Sequence, residues 1–231
     1  MLFVLFSTIF SSTYDDPFSK AHGMTAGRFF LPAMIAAGVL LTSFQTTAME
    51  VATERDDGTL KRLRGTPMPP AAYFVGKIGL VLVTSILQVI VLLALARFGY
   101  GVPLPDDAAH WLTFAWVFVL GIIGGVTLGI AYSSIASARS VGATVIAPVL
   151  ILQFISGVYL DFSMIPGWMQ QIAAIFPLKW IAQGMRSAFF PEAYAAHEMA
   201  GSWTALILAA WALAGLVLCL KTFRWYKRGT T

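Results

Sequence analysis

The chain has 231 residues, 58% of them hydrophobic and 11% charged, with a net charge of +4. Its mean hydropathy of +0.77 excludes an ordinary water-soluble domain, and its long uncharged runs indicate a polytopic helical membrane protein. One cysteine, Cys219, excludes an intrachain disulfide and a cysteine-rich metal site.

A bilayer's hydrocarbon core is roughly 30 Å thick, so about 20 apolar residues at 1.5 Å rise per residue cross it. The first apolar run, residues 1–10, is about half that length and lacks the basic flank and cleavage site of a signal peptide. Two readings stand for it: the outer half of a first span whose beginning is missing, or a short apolar terminus lying against the bundle. Runs 29–49, 78–96, 111–138, 140–160 and 199–220 are each long enough to span, and 140–160 contains Pro148. Between the last two, residues 162–178 carry Pro166-Gly167 and Pro177. Proline and glycine break helices, and irregular backbone at membrane depth must be sheltered. The sequence therefore predicts an all-α bundle of about six spans, the first one short. A re-entrant or interfacial external hairpin precedes the last span. The chain reads as a single transmembrane unit over 1–231, with loop 50–70, hairpin 161–200 and tail 221–231.

Lys and Arg near span ends set orientation. Loop 50–70, Lys77, the short turn at Arg139 and the tail hold ten basic residues, and the opposite side holds five. That imbalance puts the loop and the C-terminus in the cytoplasm.

Loop residues 50–66 read EVATERDDGTLKRLRGT and hold eight of the 26 charged residues, four acidic and four basic. A neutral, patterned island is a poor patch for anionic lipid, which attracts clusters of Lys and Arg. It reads as a surface for another protein. The preceding helix is predicted to run into the loop until Gly58 breaks it, with a second short helix from Thr59 to Gly65. Leu60 and Leu63 share a face there, suited to a groove on a soluble partner. The plain alternative is a solvated loop with helical tendency.

Elsewhere chemistry is sparse. Gly76-Lys77 lacks the rest of a phosphate-binding loop, and no protease, hydrolase or paired-carboxylate motif occurs. His22, His110 and His197 fall in separate loops without ligand spacing. The apolar runs contain no charged residue, whereas ion-coupled transporters usually bury such groups. Mild polar residues within them, Gln45, Thr46, Gln88 and Gln153, are candidate substrate-pathway positions or plain interhelical hydrogen-bonders. Gly121, Gly125 and Gly129 recur at i+4 and mark a close helix contact.

Glu54, Gly58-Thr59-Leu60, Leu63, Thr66-Pro67 and the following Gly76-Lys77 resemble, in register, the signature of the ABC type-2 permease family. Its members are membrane subunits of bacterial exporters of drugs, antibiotics, polysaccharides and lipids, daunorubicin-resistance permeases among them. Pro177-Leu-Lys-Trp180 and Gly184-Met-Arg186 are similar to the family's pattern before the last span. The resemblance runs from Phe29 onward. It departs at Lys61, often acidic in the family, and at the start, where the family's amphipathic helix and the inner half of the first span are not seen.

What the resemblance implies is a multi-pass permease of the bacterial inner membrane exporting an amphiphilic substrate. The chain would have no catalytic residue, cofactor or metal of its own, ATP and Mg being bound by a separate ABC ATPase subunit. A second permease copy or paralogue and membrane lipid would complete its partners, with no nucleic acid. Glu54, Arg55, Asp57, Gly58, Thr59, Leu60 and Leu63 would form the coupling element. The rival readings are a non-transporting scaffold for an ATPase and a secondary transporter.

Overall fold

A computed structural model describes residues 1–15, 17–67, 69–135, 138–191, 194 and 201–223. Every regular element among them is a helix. The short α1 (Leu2–Ile9) and α2 (Pro17–Ala21) come first. Phe3 and Phe6 of α1 set their rings against Tyr100 and Phe30, at centroid distances of 5.4 and 5.1 Å, so α1 lies along the bundle.

Next comes a rod of 31 residues, Ala26–Asp56. Thr25 caps its first helix, α3 (Ala26–Leu40), by accepting from the Arg28 amide at 3.2 Å. The helix widens into a π turn over Leu41–Thr46 and tightens again as α4 (Thr47–Asp56). Hydroxyls drive that widening: Thr42 donates to the Gly38 carbonyl at 2.8 Å and Thr46 to the Leu41 carbonyl at 3.1 Å, competing with the regular ladder. The rod outruns the apolar run 29–49 because the residues that follow are mostly good helix formers.

A short helix, α5 (Thr59–Arg64), follows, and α6 (Pro70–Ala94) opens on a proline, which suits a first helical position whose amide lacks a partner anyway. Asp107 caps α7 (Ala108–Ser133). His110, expected in a loop, sits in the first turn of α7, its Nδ1 3.7 Å from the Asp107 carboxylate. His197 lies outside the described residues.

α8 (Ala138–Ile155) stops short of the expected 140–160, because the chain turns at Gly157 with a φ of +74°. The Arg186 guanidinium holds that turn by donating to the Gly157 carbonyl. The hairpin is built from α9 (Gly167–Ile175) and α10 (Pro177–Phe189), broken at Phe176-Pro177. α10 does more than cap the bundle's end, since it packs among α3, α7 and the last helix, α11 (Gly201–Thr222), with ten of its residues buried. Among the described residues, four helices are long and apolar enough to cross a membrane, while α8 and α1 are shorter.

α7 is the centre, touching α3, the π turn, α4, α10 and α11. Lipid is as apolar as the side chains it surrounds, so close backbone approach, rather than hydrophobic burial, holds such helices together. A Cβ built on Gly129 would lie 2.7 Å from the Phe44 carbonyl oxygen, and one on Gly125 would collide with the Ser43 hydroxyl. One on Gly121 would press on Ile181 and Val39 at 3.2 Å. The glycine stripe thus seats α7 against the rod and α10.

Candidate functional site

α4 carries the rod out of the apolar zone on Ala, Met, Glu and Arg, all good helix formers. It ends where Gly58 takes a φ of +81°, a left-handed conformation that costs a side-chain-bearing residue about 1–2 kcal/mol. The Asp57 carboxylate accepts from the Thr59 amide at 2.9 Å and so starts α5. That backbone hydrogen bond holds the exposed Asp57 carboxyl below the ordinary carboxylate value. Thr66 closes α5 by donating to the Leu63 carbonyl at 2.6 Å.

α5 lies against α4 and turns its apolar face inward. Leu60 is 0% exposed, packed in the chain's own core, and Leu63 is half-buried against it. Burial of one such leucine is worth about 1.5–3 kcal/mol. The expected apolar plug is therefore used up in fastening α5 to its own bundle. What α5 shows to solvent is Lys61, Arg62 and Arg64, a basic surface.

Two polar clamps tie this loop to the spans. Lys77, seven residues into α6 and 8% exposed, donates to Glu54 at 2.7 Å and to Glu50 at 2.9 Å. Tyr73 donates to the other oxygen of Glu54 at 2.8 Å. The second clamp is Arg55, whose guanidinium donates to both the carbonyl and the hydroxyl of Ser133 in the last turn of α7. Five neighbouring turns of three helices are joined in this way.

Glu54, Arg55, Asp57, Gly58, Thr59, Leu60 and Leu63 are thus brought together, each with a definite local task. Glu50, Tyr73 and Ser133 belong to the same cluster and were not among the candidate residues. Glu50/Glu54 and Tyr73/Lys77 are both i,i+4 pairs, each presenting one face, and that spacing was the available signal.

The four candidate pathway residues are not brought together. Gln88 accepts from Thr42 at 3.1 Å, bridging α6 and the π turn. Gln153 is buried and accepts from the Tyr159 hydroxyl. Thr46 is tied to its own backbone, and Gln45 is half-buried. None of them lines the apolar cleft of about 440 Å³ between α7, α8 and α11. Among the described residues, no group of three or more His, Cys, Asp or Glu could hold a metal ion.

Residues 3–219 match the family described as ABC-2 family transporter protein. The chain belongs to that family. Its members are membrane transport subunits that generally work with an ABC ATPase and lack a catalytic site of their own. "Probable multidrug ABC transporter permease YbhR" of Escherichia coli (strain K12) is 24% identical over 185 residues, 79% of this chain and 49% of that protein. "Inner membrane transport permease YadH" of the same strain is 20% identical over 193 residues, 82% of this chain and 71% of that protein. The chain thus spans about half the length of YbhR and over two thirds of YadH.

Proposed function

We propose that this chain is the permease subunit of an ATP-driven exporter in a bacterial inner membrane, and that α4–α5 is its coupling element. The observation that carries this reading is the double clamp. α5 is seated by buried Leu60, while Lys77–Glu54–Tyr73 and Arg55–Ser133 connect its base to α6 and α7. A push on α5 is therefore a push on three spans at once. In this reading a separate ATPase subunit docks on the basic face of α5 from the cytoplasm, and the C-terminus lies on the same side. ATPase closure displaces α5, the clamps carry the movement into α6 and α7, and the bundle opens outward. A second copy of the chain, or a paralogue, completes the transporter. The exported molecule is amphiphilic, a multidrug- or lipid-like substrate, since the bundle interior offers aromatic and weakly polar groups.

The test is co-expression with the ATPase encoded beside it, followed by purification through a tag on this chain. The ATPase subunit should be retained, and the pair in vesicles should transport an amphiphilic dye only with ATP and Mg. A chain that purifies alone, with no ATP-dependent movement of dye, would overturn the proposal.

A further inference from the structure

The apolar cleft plays no part in the coupling proposal. α8 packs on α4, the π turn and α9, while α11 packs on α7 and α10. The cleft is the gap left between α8 and α11, floored by the glycine face of α7 and open on one side. Along α11 it runs from Leu208 to Thr222, about 21 Å at the helical rise. One leaflet's hydrocarbon is about 15 Å deep, half of the core thickness, so the cleft is as long as a whole leaflet.

Its lining offers an occupant almost nothing to hydrogen-bond, and no donor. Three polar side chains reach it, and each is satisfied within the protein: Tyr132 donates to the Thr144 carbonyl at 3.2 Å, Trp211 to the Ile175 carbonyl at 3.0 Å and Thr222 to the Leu218 carbonyl at 2.7 Å. An occupant bearing buried polar groups would leave them unpaired, at about 1–3 kcal/mol each. A helix is excluded by size. One 21 Å long and about 10 Å across displaces on the order of 1,600 Å³, more than the 1330 Å³ of empty space in the cleft, part of which is open to the outside. A slender, wholly apolar chain meets both limits, and α8 and α11 expose Leu150, Leu213 and Leu216 to the bilayer that supplies it.

We propose that the cleft holds one acyl chain of a bilayer phospholipid, entering sideways between α8 and α11. It fills a space lined by Leu128, Ala131, Leu152 and Leu218, whose facing side chains would otherwise lack contacts across the gap. Because this chain lies in the gap between α8 and α11, the lipid sets their spacing.

The test uses the full-length protein reconstituted with phosphatidylglycerol carrying a diazirine midway along one acyl chain, then extracted into mild detergent, washed free of loose lipid and irradiated. Adducts should concentrate on peptides containing Leu128, Leu152 and Leu218. Ala131→Phe, which fills the cleft from α7, should lower adduct yield about tenfold, the effect of excluding roughly two methylenes. Leu87→Phe on the outer face of α6 should leave the yield unchanged. Leu152→Trp fills the cleft from the opposite wall and serves if Ala131→Phe fails to fold. Adducts spread evenly over α6 and the cleft, or a yield unmoved by both filling variants, would overturn the proposal. So would crosslinking of two copies through Ala131→Cys in a Cys219→Ser background, which would make the cleft a contact between copies. No nucleotide or ATPase is present, so the outcome is separate from that of the coupling proposal.

Discussion

The Arg55 guanidinium donates to Ser133 twice, to its hydroxyl at 2.8 Å and to its carbonyl oxygen, binding the last turn of α4 to the last turn of α7. The carbonyl is one of those that a helix C-terminus leaves without an intrahelical partner. Charge-assisted hydrogen bonds of this kind are worth about 1.5–3 kcal/mol each. Arg55→Ala should lower the melting temperature of the detergent-purified protein and reduce ATP-driven transport. Arg55→Lys should recover little, because an ammonium cannot reproduce the planar two-pronged contact. Ser133→Ala removes only the hydroxyl partner and should cost about 1 kcal/mol. Equal melting of Arg55→Ala and the unmodified protein would show the contact to be idle.

The Lys77 clamp should respond unequally at its two acidic ends. The Glu54 side chain is 27% exposed and that of Glu50 is 43% exposed, so solvent screens the second pair more. Glu50→Gln is expected to cost at most about 1 kcal/mol, and Glu54→Gln more, since it also weakens the acceptor of the Tyr73 hydroxyl. Lys77→Met leaves two partly screened carboxylates without their cation and should cost about 1–3 kcal/mol. Combining it with both Glu→Gln changes should restore most of that loss. A triple variant as unstable as Lys77→Met alone would mean that packing, not charge, governs the site.

How much of this was legible beforehand differs residue by residue. The break at Gly58 and the start of α5 follow from local chemistry, a glycine free to take positive φ and an aspartate two residues before Thr59, and both were readable. The i,i+4 pairs Glu50/Glu54 and Tyr73/Lys77 were visible on their own helices. Their meeting was not, because it depends on how α6 is set against α4 in the fold. Helical spacing likewise put Leu60 and Leu63 on one face without saying whether that face looks inward. The early end of α8 had no local signal beyond Gly157, since the contact that fixes the turn comes from Arg186, 29 residues away.

The glycine stripe gives a third expectation. A leucine at Gly125 must displace the Ser43 hydroxyl and then the Phe44 amide, 3.4 Å from a Cβ there. Overpacking of this kind costs typically 1–3 kcal/mol or more. Gly125→Leu should lower the melting temperature and broaden the size-exclusion peak, and Gly125→Ala with Ser43→Gly should be milder. Identical profiles for all three would mean that α7 is free to shift away from the rod.

Orientation can be tested chemically in a Cys219→Ser background. Asp57→Cys should resist an impermeant thiol reagent in intact cells and react once they are broken open, while Asp106→Cys should react in both. Ten basic residues against five underlie that expectation. Labelling of Asp57→Cys from outside would invert the assignment and remove α5 from the reach of a cytoplasmic ATPase.

The coupling proposal meets its sharpest test on α5, where residues that seat the helix and residues that face solvent are distinct. Leu60 is buried in the chain's own core, so Leu60→Asp should unseat α5 and destabilise the protein by several kcal/mol, through an unpaired buried charge. Gly58→Ala meets no neighbour within 4 Å but must adopt a φ of +81°, costing about 1–2 kcal/mol by strain alone. Gly58→Pro cannot adopt it at all, since its ring fixes φ near −65°. These variants perturb the fold as well as any docking, and loss of transport in them would be ambiguous. Lys61, Arg62 and Arg64 are exposed, and reversing all three to Glu should change the stability by no more than about 0.5 kcal/mol per site. The same triple reversal should abolish retention of the ATPase subunit and ATP-driven transport. Three equivalent charge changes near Asp106, at the far end of the bundle, should do neither. A well-folded triple variant that still retains its ATPase and transports would show that the partner, if it binds this chain, binds elsewhere.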